Sequence, residues 1–129
     1  MSDHAHGTFD VTLTPQAPDE TGIGRLDLAK VWHGDLEATS VGLMLSAGDP
    51  ARGRAGYVAL EVVTGSLHGR EGGFSFLQYG VMRGDEQELR YQVVPGSGTG
   101  ALADLEGTLT LTIDADGTHT YDLGYTLSG

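Results

Sequence analysis

Thr108-Leu109-Thr110-Leu111-Thr112-Ile113, then Asp116-Gly117, then His119-Thr120-Tyr121-Asp122-Leu123-Gly124-Tyr125-Thr126-Leu127 closes the chain as two alternating runs joined by a turn dipeptide. Successive side chains of a strand point to opposite faces, so strict polar/apolar alternation describes a strand with one buried face. Asp-Gly supplies the positive-φ backbone of a tight hairpin turn, and the segment therefore reads as a β-hairpin. The beginning of the chain carries the same signal. Thr8-Phe9-Asp10-Val11-Thr12-Leu13-Thr14 alternates cleanly, and Pro15 is expected to end that strand.

Between these ends the period stays at two. A Pro/Asp/Gly loop over Pro18–Gly22 leads into a strand from Gly24 to His33, and Gly34-Asp35 turns it into Leu36–Ser46. Beyond Gly48-Asp49-Pro50 come Ala55–His68, a turn over Gly69–Gly73, Phe74–Met82, a turn at Gly84-Asp85-Glu86, and Leu89–Val94. The Gly96–Gly100 stretch then leads to Ala101–Leu105, where one short helical turn fits. About eight strands on short turns, with no helix to cover a sheet face, hide their edges best by closing on themselves. The expected fold is all-β: a single domain over 1–129, built as a closed antiparallel up-and-down barrel.

Composition narrows the function classes. The 129 residues suffice for one domain with a core, and the 21 glycines are spread between alternating runs as turn and bulge punctuation. A formal charge of −11, with seven Lys and Arg, argues against nucleic acid and anionic membrane as partners, because both are polyanions. There is no cysteine, which removes disulfides, thiolate nucleophiles and zinc-thiolate sites. The start Met1-Ser2-Asp3-His4 lacks the basic and apolar regions of a signal peptide, and a cytoplasmic location is expected.

Five stretches, in order along nearly the whole chain, resemble a known family. They are Gly7-Thr8-Phe9-Asp10-Val11, His33-Gly34-Asp35-Leu36-Glu37-Ala38-Thr39-Ser40, Gly56-Tyr57-Val58-Ala59-Leu60-Glu61, Thr64-Gly65-Ser66-Leu67-His68-Gly69-Arg70 and Gly98-Thr99-Gly100-Ala101-Leu102. On these residues the chain resembles the domain of unknown function (DUF) 3224 family. The resemblance implies the allene-oxide-cyclase-like barrel, an architecture shared with plant allene oxide cyclases, dirigent proteins and some bacterial polyketide cyclases. It also implies a histidine where this chain has Gln78. No activity comes with the family, and fold analogy does not supply one.

Alternation sorts side chains between lumen and exterior. Phe9, Val11 and Leu13 are expected inside, with Leu26, Leu28, Lys30 and Trp32, then Tyr57, Ala59, Glu61 and Val63. Phe74, Phe76 and Gln78, Tyr91, and Tyr121, Leu123, Tyr125 and Leu127 complete the set. An apolar, aromatic lumen with a few convergent polar groups describes a site for an apolar or amphipathic small molecule. Glu61 is its candidate acid/base, because a carboxylate facing an apolar lumen has its pKa raised unless a partner offsets the burial. Lys30 is the candidate partner and Tyr57 an orienting hydroxyl; Trp32, Phe76, Gln78, Tyr91, Tyr121 and Tyr125 are candidate ligand-binding residues. The competing reading is that Glu61 and Lys30 merely fix register, and that the aromatics fill the barrel solid.

Other motifs carry less. His6-Gly7, His33-Gly34 and His68-Gly69 fall on one rim but without metal-ligand spacing, so no metal or other cofactor is expected. Gly96-Ser97-Gly98-Thr99-Gly100 lacks the Lys-Ser/Thr of a phosphate loop and reads as a connector across a barrel mouth. No nucleophile elbow is present. The outward faces of the third to fifth strands are unusually apolar, with Val41 and Leu43, Val58, Leu60 and Val62, and Leu77, Tyr79 and Val81. A homodimer packed through that surface is expected. Three functions stay open: a cofactor-free isomerase or cyclase moving a proton with Glu61, a non-catalytic ligand carrier, and a solid barrel acting as an oligomerising module.

Overall fold

The computed structural model describes residues 3–17 and 20–128. Met1, Ser2 and the first two residues of the expected Pro18–Gly22 loop lie outside them. The strands are β1 (Asp3–Gln16), β2 (Gly24–Gly34), β3 (Leu36–Asp49), β4 (Arg54–Leu67), β5 (Arg70–Arg83), β6 (Glu86–Val93), β7 (Thr99–Gly100), β8 (Glu106–Ile113) and β9 (His119–Thr126). Each long strand pairs antiparallel with the next; β6 passes to β8, β9 returns to β1, and the sheet closes into an eight-stranded barrel. The two-residue β7 pairs only with Gly72 and Gly73 of β5.

Two local expectations are corrected. Pro15 does not end β1, which continues to Gln16 with Pro15 opposite Leu26. Pairing of β1 with β9 stops at Phe9, so beyond it β1 is an edge strand, where a residue without an N–H is tolerated. Over 101–105 there is no helix but two successive turns, in which Leu102 N–H donates to the Thr99 carbonyl and Leu105 N–H to that of Leu102. A 3-10 helix forms instead at Pro50–Arg52, where the Asp49 carboxylate accepts from Ala51 N–H and proline occupies the first turn.

The two ends of the barrel differ. Where β2 meets β3 and β4 meets β5, the 94–105 connector folds across the opening and buries Leu102 and Leu105. Beneath it the lumen is filled by aromatics. Trp32 lies 4.6 Å from Phe9, 5.5 Å from Phe76 and 5.2 Å from Tyr121 between ring centroids, and Phe76 meets Phe74 and Tyr91 edge-on at 4.9 Å each. These are favourable offset and edge-to-face separations. At the opposite end none of the described residues crosses the mouth. Leu13, assigned inward from alternation, is 43% exposed there because β1 has already run past its last β9 partner.

On the outside, Val41, Leu43, Val58, Leu60, Val62 and Leu77 are exposed, whereas Tyr79 and Val81 are half-buried. The staves are not equally secured. Fourteen residue pairs join β3 to β4, but among the described residues β6 and β8 share only Gln92 opposite Thr108. Native-state amide exchange is therefore expected to be fastest along the facing edges of β6 and β8, and slowest in β3, β4 and their shared ladder. Uniform protection around the ring contradicts this reading of the seam.

Candidate functional site

Lys30 on β2, Ser40 on β3, Glu61 on β4 and Tyr91 on β6 point inward, and their side chains converge. Register explains why: Lys30 lies opposite Ser40, and Ser40 opposite Val63, which places Glu61 one inward position along β4. Gly42 lies opposite Glu61, and a Cβ there would come within 2.0 Å of the Leu60 carbonyl oxygen and 2.7 Å of Glu61 Cα. Only glycine permits β3 and β4 to approach this closely beside the carboxylate.

The polar atoms are satisfied by one another. Lys30 Nζ donates to Glu61 Oε2 at 2.7 Å and to Tyr91 Oη at 2.6 Å. Ser40 Oγ and Tyr91 Oη both donate to Glu61 Oε1 at 3.2 Å, and Trp32 Nε1 donates to Ser40 Oγ at 3.1 Å. Glu61 is 1% exposed and Lys30 5%, and the ammonium also lies 4.8 Å from the Phe9 ring centroid and 4.9 Å from that of Tyr91. Burial holds the Lys30 pKa below its ordinary value, and the Glu61 charge and hydrogen bond offset that lowering only in part. Burial, reinforced by the Glu61 carboxylate, pushes the Tyr91 phenol well up and keeps it a donor. Among the described residues, no buried side-chain nitrogen or oxygen lacks a partner.

Toward the open mouth the lumen widens into a cup of about 400 Å³, lined by Leu26, Met44, Ala55, Tyr57, Met82, Leu111 and neighbouring residues. This lies within the size range of small-molecule sites, about 300–1,000 Å³. Tyr57 lies on its wall through a missing side chain: a Cβ on Gly80, opposite it on β5, would fall 2.3 Å from the Tyr57 ring. Gln78 Nε2 donates to Tyr57 Oη at 2.8 Å, and partial burial raises the phenol's pKa, a rise the Gln78 hydrogen bond eases. The Glu88 side chain faces the exterior, where its carboxylate accepts from Tyr79 Oη at 3.5 Å.

The histidine rim is a different structure. His68, in a left-handed turn conformation at φ 48, shares a hydrogen bond with Tyr125 Oη and lies 3.5 Å from Asp35. The Asp35 carboxyl is lowered first by the His6 backbone N–H it accepts, with His68 a further contribution. His33 points outward to Asp10. Among the described residues, no group of three or more His, Asp or Glu side chains is placed to hold a metal ion.

The candidates named from sequence thus divide. Glu61, Lys30 and Tyr91 come together with Trp32 in one sealed network, and Phe76 and Tyr121 belong to the aromatic packing around it. Tyr125 lies at the closed rim. Only Tyr57 lines the cup, with Gln78 behind it. Ser40 was missed, although its period-two spacing from Leu36 marked it as inward. Met44, Met82 and Leu111 were missed as cup residues because alternation gives the facing of a side chain and not its depth in the barrel.

Removing one partner of a buried ion pair strands the other. Lys30→Met is expected to cost about 3–5 kcal/mol in urea unfolding, and Lys30→Met/Glu61→Gln less than the Lys30→Met variant alone. Losses that simply add would show that the two groups are not coupled.

Comparison with known proteins adds family but no activity. The model of the family described as "Protein of unknown function (DUF3224)" matches residues 5–125. Among solved structures, a protein of unknown function of the DUF3224 family from Shewanella oneidensis MR-1 is similar at 40% sequence identity and a TM-score of 0.92, over 100% of this chain and 99% of that one. No curated protein matches. Sequence and fold therefore agree with one assignment: the chain belongs to the DUF3224 family of proteins of unknown function.

Proposed function

We propose that this barrel binds a neutral, apolar or amphipathic small molecule in its open cup, without catalysing a reaction on it. The observation that carries the reading is the cup of about 400 Å³, with walls from Leu26, Met44, Met82 and Leu111 and the Tyr57 phenol as a polar contact. At the ~30 Å³ a water occupies in the liquid, this holds on the order of a dozen non-hydrogen atoms. Apolar walls supply affinity by area, and Tyr57 Oη, held by Gln78, fixes the orientation of one polar ligand atom. The chain's charge of −11 disfavours an anionic ligand.

A proton-transfer enzyme built on Glu61 has less support. General acid–base work requires the group to come within hydrogen-bond reach of the substrate. Both Glu61 oxygens are engaged by Lys30, Ser40 and Tyr91, and the residue is 1% exposed. Residence in the cytoplasm is part of the same proposal and rests on the acidic, cysteine-free composition.

Calorimetric titration with 1-octanol and octanoate, a neutral and an anionic probe of fitting size, tests the reading. Saturable one-to-one binding of 1-octanol, at least tenfold tighter than octanoate, is expected. Met44→Trp should abolish it by filling the cup, and Tyr57→Phe should weaken it several-fold, with near-ultraviolet circular dichroism confirming that both variants are folded. Failure of both probes to saturate, or binding unchanged in folded Met44→Trp, would overturn it.

A further inference from the structure

The exterior of β3–β5 forms a surface independent of the cup. Antiparallel register lines its side chains into three cross-strand rows: Leu43–Leu60–Leu77, Leu45–Val58–Tyr79 and Val41–Val62. Val41 is 64% exposed, and Leu60 and Val62 56% each. A shallow apolar groove of about 470 Å³ runs along these residues. The rows uncover on the order of 600 Å² of side chain, at the top of the ~300–600 Å² a monomer's largest apolar patch spans and close to the ~800 Å² each partner gives a standard interface. No charged residue falls within the rows.

We propose that a second copy of this chain covers this face in a two-fold homodimer. The flanks identify the occupant. On one side β2 presents exposed Arg25 and Asp27, with Asp27 opposite Leu43; on the other, β6 presents exposed Glu88 and Arg90, with Arg90 opposite Tyr79. A two-fold axis along the strands sets one copy's β2 flank against its partner's β6 flank, and an axis across them sets each flank against itself. In both arrangements each flank brings both signs of charge, which suits a self-complementary contact. A strongly basic or acidic partner finds no matching single-sign surface here. Two chains of charge −11 repel at long range, so an apolar contact between them tightens as salt screens that repulsion, whereas a contact held by ion pairs loosens.

Sedimentation equilibrium at low and high salt tests the assignment on the full chain. A dimer at micromolar concentration whose dissociation constant falls at least several-fold with salt is expected. Leu60→Asp in the central row should give a monomer, and Leu77→Lys on the neighbouring strand should do the same should Leu60→Asp fail to fold. Trp32 fluorescence reports folding, because its indole lies in the core away from the face. A wild-type monomer at both salts would overturn the proposal. So would a dimer unaffected by both substitutions, a larger assembly, or a monomer that pellets with lipid vesicles and so assigns the face to a membrane surface.

Discussion

The Lys30–Glu61 ion pair is the contact on which the interior is organised. Its two charges come from strands separated by β3, and each is completed by a further strand: Ser40 of β3 donates to Glu61, and Tyr91 of β6 bonds both partners. A one-residue slip of any of these strands would turn its polar side chain outward and leave the others buried without partners. Two charges out of water gain little net stability even when well paired. Their contribution lies in what they exclude, since each competing register carries a stranded charge. Gly42 is part of the same device, because the close approach of β3 and β4 beside Glu61 admits no side chain.

The network also divides the lumen. On one side, Trp32, Phe76, Tyr121 and the leucines of the 94–105 connector fill the barrel, in line with the capacity of eight strands to pack solid. On the other, the inward positions carry Leu26, Met44, Met82 and Leu111, none of the described residues folds across the mouth, and a cup remains. The residues with the chemistry of an acid–base site are therefore sealed away from the open cup. The ligand reading rests on that separation: stabilisation and reception occupy different depths of one barrel, and Tyr57 with Gln78 lies where they meet.

Much of the barrel was legible because alternation is a strong signal when one face is buried. The Thr108–Ile113 and His119–Leu127 hairpin, the inward set from Lys30 to Tyr91 and the pairing of Glu61 with Lys30 all followed from period-two facing. What escaped depends on position along the barrel axis. Leu13 and Leu123 alternate identically, yet one is exposed at the mouth and the other fully buried, because stagger and not facing sets depth. Pro15 misled for a related reason: its missing donor would break a central strand, but β1 is unpaired on one side there. The cup was illegible on the same grounds. Its methionines and leucines differ from core residues only in how far the aromatic packing reaches.

Two of the chain's three methionines, Met44 and Met82, line the cup, which makes their methyl groups direct reporters. Methyl NMR of methionine-labelled protein, read with the Trp32 indole N–H during titration with 1-octanol, tests the division of the lumen. Saturating shifts at the Met44 and Met82 methyls with an unmoved indole resonance are the expected result. Shifts at the Trp32 indole of equal size and the same midpoint would place the ligand in the aromatic-filled half, and would contradict the account.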